Sequence, residues 1–372
     1  MKRCIIALAC LLLLTGCWDE RQFKNMKLVL SMGLDKGEEQ EIRQTVSIPT
    51  VERGLDGPGA EKVQIISTDA HTPRDGRDKI DQMISESFDP SKLRVIVLGE
   101  ELAKENMYPV LDELYRNPNS NLNAALVIAD GTTAEGILNV KNENEMRISN
   151  YLSGIIEAGV AATHTTGENL QMLNAEILEP GVDFSVPTMA VDENRQLLII
   201  TGMGLFHGKH YTGKKIDSSL TVLYMLLEGK MGNVARLTEK ISDGEDDDLL
   251  NYVTVHVLKN DRKMKIDVVD GEVKVKINLN LSVKIVEYPS DHLYVKGKIG
   301  MVEKELEKVL TEKSKDIIST IQEANSDVLG IGRRVRAYHN KDWKKLNWEE
   351  EYPKITIEPH INVKVVQHGI IN

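Results

Sequence analysis

Cysteine is the residue type whose placement says most about chemistry in this 372-residue chain, because Cys4, Cys10 and Cys17 all lie in its opening segment. Beyond Cys17 there is no thiol from which to build a disulfide framework, a cysteine-ligated zinc, an iron–sulfur cluster or a cysteine nucleophile. His207 and His210 stand three apart, but no third histidine or carboxylate follows at a metal-ligand interval, and they read as turn histidines. The acidic run 243–248 lacks the alternating Asp/Asn positions, the sixth-position glycine and the closing glutamate of an EF-hand loop, so it reads as a solvated linker. Gly202-Met203-Gly204 opens like a dinucleotide fingerprint, yet the next glycine is Gly208 and a strand follows where the phosphate-cradling helix is needed. A tight strand arrangement fits it better. No nucleophile elbow and no Ser/His/Asp grouping stands out, and acidic pairs are too common here to single one out. No catalytic, cofactor-binding or metal-ligating residue is therefore assigned.

Cys17 is different. Lys2 and Arg3 precede an apolar run over residues 5–14, and Thr15 and Gly16 follow, which is signal-peptide grammar. A helix of about ten residues reaches about 15 Å, half of a hydrocarbon core of roughly 30 Å, so the run exports the chain rather than spanning a membrane. Leu14-Thr15-Gly16-Cys17 has the form of a bacterial lipobox, in which the cysteine receives a diacylglycerol thioether and the leader is cleaved in front of it. Two acyl chains, at about 0.8 kcal/mol per buried methylene, hold a protein durably where one does not. Cys17 is thus the expected lipidation site, and Trp18 beside it suits either a headgroup-level position or a packed core.

The elements behind these residues come from periodicity and turn chemistry. Hydrophobic residues make up 41% and charged residues 28%, an ordinary globular balance, and at about 150 residues per domain the length suggests two to three domains. The formal charge of −11 offers no global basic field for phosphate backbones, which argues against nucleic acid as a partner. Leu28, Leu30, Met32 and Leu34 alternate before a turn at Asp35-Lys36-Gly37, and residues 77–88 carry a helical stripe of Ile80, Met83 and Ile84. Residues 93–99 read as a buried strand opening a helix at Glu100, and 126–129 as another strand. Residues 148–178 read as helical, and 220–227 as a buried strand or helix. Residues 253–258, 263–269 and 273–286 alternate with lysines as antiparallel strands having one wet face. The longest helix, 300–324, has Val302, Leu306, Leu310, Ile317 and Ile321 on its packed side and Glu303 and Glu307 on its solvated side. Arg333, Arg334 and Arg336 read as a helix end or a contact with anionic lipid or an acidic partner. A strand over 354–367 closes the chain.

The expected fold is therefore α+β and multidomain, with mixed sheets and packed helices and a C-terminal antiparallel sheet carrying a long amphipathic helix. The expected divisions are a lipoprotein signal peptide over 1–16, an N-terminal α/β domain over 17–190, a middle domain over 195–255 and a C-terminal α+β domain over 256–372.

With these segments placed, Gly16-Cys17-Trp18-Asp19 and Leu28-Val29-Leu30-Ser31-Met32-Gly33-Leu34-Asp35-Lys36 resemble the opening of the Ger(x)C lipoproteins, the C subunits of nutrient germinant receptors in endospore-forming bacteria. Residues 94–103, 202–208 and 327–332, then Trp343, Trp348-Glu349 and the closing His368-Gly369-Ile370-Ile371, are similar to later parts of that family. Where Leu329 and Ile331 stand here, the family more often has aromatic residues. The resemblance implies a lipid-anchored, non-enzymatic subunit without a cofactor, held at the extracytoplasmic face of the spore inner membrane through acylated Cys17. Its implied partners are two integral membrane subunits, A and B. The other reading is a tethered extracytoplasmic solute-binding or hydrolytic lipoprotein, which needs a pocket with convergent polar groups.

Overall fold

A computed structural model describes residues 25–39, 41–52, 60–141, 147–192, 194–269 and 271–368. Cys17 and the leader lie outside the described residues.

Two large sheets organise the chain. A small parallel pair, β1 (Met26–Leu28) with β5 (Ser87–Asp89), stands beside the first. That first sheet has eight strands: β2 (Ser31–Lys36), β3 (Ile42–Glu52), β4 (Ala60–Ala70), β6 (Val95–Gly99), β7 (Ala125–Ala129), β8 (Ser185–Asp192), β9 (Leu197–His207) and β10 (His210–Asp217). Their order is β10-β9-β8-β7-β6-β2-β3-β4, with a parallel centre β8-β7-β6-β2 and antiparallel pairs on both flanks. Helices α1 (Pro73–Asp81), α2 (Glu100–Lys104), α3 (Tyr108–Arg116), α4 (Ala134–Leu138), α5 (Ile148–Ala161) and α6 (Leu170–Leu178) cover it. Period-two alternation divides β6 between two cores: Val95 and Val97 pack with Ala134, Ile137 and Leu152, while Ile96 and Leu98 pack with Ile80, Leu111 and Leu173. A strand buried on both faces in this way reads as a continuous apolar run.

The second sheet holds β11 (Arg236–Lys240), β12 (Tyr252–Val269), β13 (Glu272–Glu287) and β14 (Thr356–His368), in that order. Its helices are α7 (Thr221–Glu228), α8 (Lys298–Glu323), α9 (Ile331–Tyr338), α10 (Asn340–Trp343) and α11 (Trp348–Glu351). Val302, Leu306, Leu310, Ile317 and Ile321 of α8 join one core with Val255, Leu279 and Val363 of the sheet. This is the expected α+β arrangement of sheet and long amphipathic helix.

Several details differ from the periodic reading. The helix expected over 77–88 begins at Pro73, where Thr72 accepts the Asp75 amide and the proline's missing N–H costs nothing. It stops at Asp81, whose carboxylate takes the Phe88 amide at 2.6 Å and turns the chain into β5. The segment 220–227 resolves as helix, ended by Gly229 at φ 84°. The closing strand β14 joins β13 parallel, whereas β11, β12 and β13 run antiparallel. Glu303 and Glu307 are not simply solvated: their carboxylates accept the Val365 and Val363 amides at 2.8 and 3.0 Å along the outer edge of β14. Strands β9 and β10, inside the expected middle unit 195–255, are hydrogen-bonded into the eight-stranded sheet, and β12 runs across its far boundary. Gly202 sits where an added Cβ would lie 2.2 Å from the Ile216 carbonyl, so the paired glycines serve strand packing.

Candidate functional site

A cluster of polar residues, among them the buried Ser326 and Asp327, gathers where the two large sheets meet. Asp183, just before β8, accepts the Gly208 amide from the β9–β10 turn at 2.7 Å on one oxygen. Its other oxygen accepts the Asp327 amide at 2.8 Å. Asp327, ahead of α9, accepts the Ile331 and Gly332 amides at 2.8 and 2.7 Å, which caps that helix, and the Trp348 indole N–H at 3.1 Å. Its carboxyl is pushed up to about 8, first by burial and then by the nearby Asp183, against the pull of its donors. Those donors all favour the ionised acceptor form, so hydrogen bonding and desolvation oppose each other at one group.

Close backbone approach surrounds this carboxylate. Gly181, at φ 80°, accepts the Arg333 amide at 2.6 Å. A Cβ on Gly332 would lie 2.5 Å from the Trp348 ring nitrogen and 2.9 Å from the Gly181 Cα, so both positions need glycine. The Ser326 hydroxyl donates to the Phe206 carbonyl, and the Tyr352 hydroxyl donates to the Ser326 carbonyl at 2.9 Å. Trp348 lies between Trp343 and Tyr352 at ring separations of 5.6 and 5.8 Å. Segments 202–208, 327–332 and 343–349 thus form one node.

The sequence-derived candidates fall around it unevenly. His207 and His210 pair across a hairpin, but His207 turns to Asp183, with its Nδ1 3.5 Å from a carboxylate oxygen, which raises its pKa, while His210 Nδ1 faces the Lys104 carbonyl at 3.2 Å. Asp243 and Asp248 of the acidic run share Lys240 at 2.8 and 2.9 Å. Arg333 and Arg336 stand in α9 and lie on Glu179 at 3.4 and 3.9 Å, beside the node. Among the described residues, no three His, Cys, Asp or Glu side chains converge to hold a metal ion.

A second polar cluster escapes a reading of the sequence. Lys230 donates to Glu168 and lies 3.4 Å from Glu228, and burial raises both Glu228 and nearby Glu176 to about 7. Glu168 also lines a cleft of about 460 Å³ with Arg94, Asn121, Ser153, Glu157 and Asn169. Two of its amides serve the fold: Asn121 donates to the Leu93 carbonyl, and Asn169 caps α6 through the Met172 amide. The Asp35 carboxylate, expected in a turn, instead lies in β2 and accepts the Ala134 and Glu135 amides at 2.8 and 2.9 Å, capping α4. Nothing local in the sequence marks these partners.

Comparison with known proteins follows the same two halves. Residues 19–191 match the family described as Spore germination protein N-terminal domain, and residues 201–369 match Spore germination B3/ GerAC like, C-terminal. This chain belongs to the Ger(x)C family of spore germination proteins. The putative spore germination protein YfkR of Bacillus subtilis (strain 168) is 24% identical over 99% of this chain and 97% of its own length. Spore germination protein GerQC of Bacillus cereus is 23% identical over 100% of this chain and 99% of its own. The crystal structure of the GerBC protein shares the fold at a TM-score of 0.57 and 16% identity, covering 90% of this chain and 97% of that one. Membership in the Ger(x)C family gives the chain a role in spore germination. In its terms, the node joins the N-terminal matched region to the C-terminal one. Among the described residues, no helix is long and apolar enough to cross a membrane.

Proposed function

We propose that this protein is the lipid-anchored, non-enzymatic subunit of a nutrient germinant receptor, acylated at Cys17 and held on the extracytoplasmic face of the spore inner membrane. It works through contacts with the integral A and B subunits. The observation that supports this reading most is the match to spore germination families over both halves, 19–191 and 201–369, in a chain where a hydrogen-bonded pair, Asp183 and Asp327, ties those halves together. A tether at Cys17 confines such a body near the membrane and raises its effective concentration for membrane partners. Two large folded halves then offer docking surface without a reacting group.

Cys17→Ala tests the anchor. The variant leaves the membrane fraction for the soluble extracytoplasmic fraction with its fold intact, and mass spectrometry of the native protein finds a diacylated amino terminus at Cys17. Retention of Cys17→Ala in the membrane counts against the anchor. Crosslinking and copurification with the integral subunits test the partners. Saturable calorimetric binding of an amino acid or sugar to a chain beginning at Trp18 favours the solute-binding reading, with the cleft near Arg94 as its location.

A further inference from the structure

The helices of the second half pack on one face of its sheet, where Val255, Leu279 and Val363 meet α8. Alternation sends the neighbours of those residues to the other face, which is exposed and rich in lysine. At the β12–β13 hairpin end its charges are matched: Lys263, Lys265, Lys274 and Lys276 lie 2.9–3.7 Å from Asp261, Asp267, Glu272 and Glu358. At the opposite end they are not. Arg236 stands opposite His256 and His256 opposite Lys284, while in the next row Lys259 stands opposite Ser282 and Ser282 opposite Lys364. Among the described residues, Arg236, Lys259 and Lys284 make no ion pair. The carboxylates nearby are Glu303, 3.5 Å from Lys364, and Glu287, which accepts the Thr254 hydroxyl at 3.4 Å. Like charges gathered across neighbouring strands cost stability, and an anion laid over them offsets that cost.

The same end carries aliphatic side chains in the open. Leu258, Val286 and Val366 each fall one place after an inward-facing residue, Val257, Ile285 or Val365, and are 43%, 52% and 51% exposed. Cations set on all four strands, at about 4.8 Å per strand, spread over about 14 Å, so one small anion cannot meet them together. A protein partner is a poorer match than a lipid surface, because the cores of protein interfaces are depleted in lysine. A layer of anionic headgroups meets every cation at once and offers the aliphatic side chains the acyl boundary beneath. The chain as a whole carries −11, so such a layer repels the rest of the molecule and admits this face. We propose that this end of the outer sheet face rests on an anionic lipid surface, with Arg236, Lys259 and Lys284 against the phosphates and Leu258, Val286 and Val366 between them. The inference rests on the membrane-anchored reading above and names the side that the anchored body turns to the bilayer.

The test uses a chain beginning at Cys17, which keeps every described residue and has that one thiol, coupled through it to maleimide lipid in vesicles. Amine acetylation, read lysine by lysine by mass spectrometry, is compared between phosphatidylglycerol-containing and pure phosphatidylcholine vesicles. Labelling of Lys259, Lys284 and Lys364 falls by about fivefold on the anionic vesicles, and added salt restores it. Lys92 and Lys341, exposed elsewhere, label equally on both. Lys259→Gln combined with Lys284→Gln returns Lys364 to its rate on phosphatidylcholine; the wild-type comparison stands without this variant. The proposal is overturned by equal labelling of the three lysines on the two vesicles, or by slowing that includes Lys92 and Lys341 to the same degree. Protection that appears only when the integral subunits are also in the vesicles overturns it in favour of an acidic protein surface. Acylation of native Cys17 is scored separately, since the maleimide supplies the tether here. If acylation is found and the protection is absent, only this contact falls; if the protection is found and acylation is absent, the anchor falls.

Discussion

Asp183 and Asp327 grip each other from opposite sides of the junction: the Asp327 amide donates to an Asp183 carboxylate oxygen at 2.8 Å, and the Asp183 amide donates to the Asp327 carbonyl at 3.1 Å. The pair fixes where the β9–β10 turn meets the start of α9, so the orientation of one half relative to the other depends on short, directional bonds. Loss of the Asp327 side chain strips a cap from α9, leaving the buried Ile331 and Gly332 amides without their acceptor, and removes the partner of the half-buried Trp348 N–H. Asp327→Ala is expected to lower the unfolding free energy by about 3 kcal/mol, read from urea titration, because each unmatched buried donor costs about 1–3 kcal/mol. An unchanged midpoint would sink the assignment of this carboxylate as the central tie.

Glycine substitutions separate crowding from backbone strain at the same junction. Gly332→Ala places a methyl against Trp348 and Gly181, and overpacking of this kind costs about 1–3 kcal/mol. Gly208, at φ 54°, has open space around its missing Cβ, so Gly208→Ala costs only the left-handed backbone penalty of about 1 kcal/mol. Thermal unfolding should rank the two in that order. Equal effects would mean that the chain at Gly181 and Gly332 can move apart in solution to make room for the methyl.

The buried glutamates give stability a sign with pH. Burial raises Glu176 and Glu228 from the ordinary 4.5 to about 7, so the folded chain holds protons that the unfolded chain releases. Their contribution is therefore present at low pH and is lost as pH rises from about 4.5 through 7. Glu176→Gln removes one titrating group and is expected to flatten that part of the profile of urea midpoint against pH. A profile as steep as wild type would count against the shift.

Legibility in the sequence follows range. The helix expected over 300–324 is found at Lys298–Glu323, because its apolar stripe repeats over many turns, and β6 is visible as a run buried on both faces. What periodicity reports is which face is covered, not which distant group a polar side chain meets. Asp35 therefore reads as a turn residue although it caps α4, and Asp327 is visible as part of a family-like segment but not as a buried acceptor. Glu303 and Glu307 look solvated for the same reason. The parallel entry of β14 is hidden because alternation along a strand carries no information about its direction.

The two carboxylates on the rim of β14 have a further effect. An exposed strand border is a template on which another molecule's strand can grow. By occupying the outward amides of Val363 and Val365, α8 takes away two of the docking points such growth would use. Copies of the chain that meet side by side then have less opportunity to polymerise through this border.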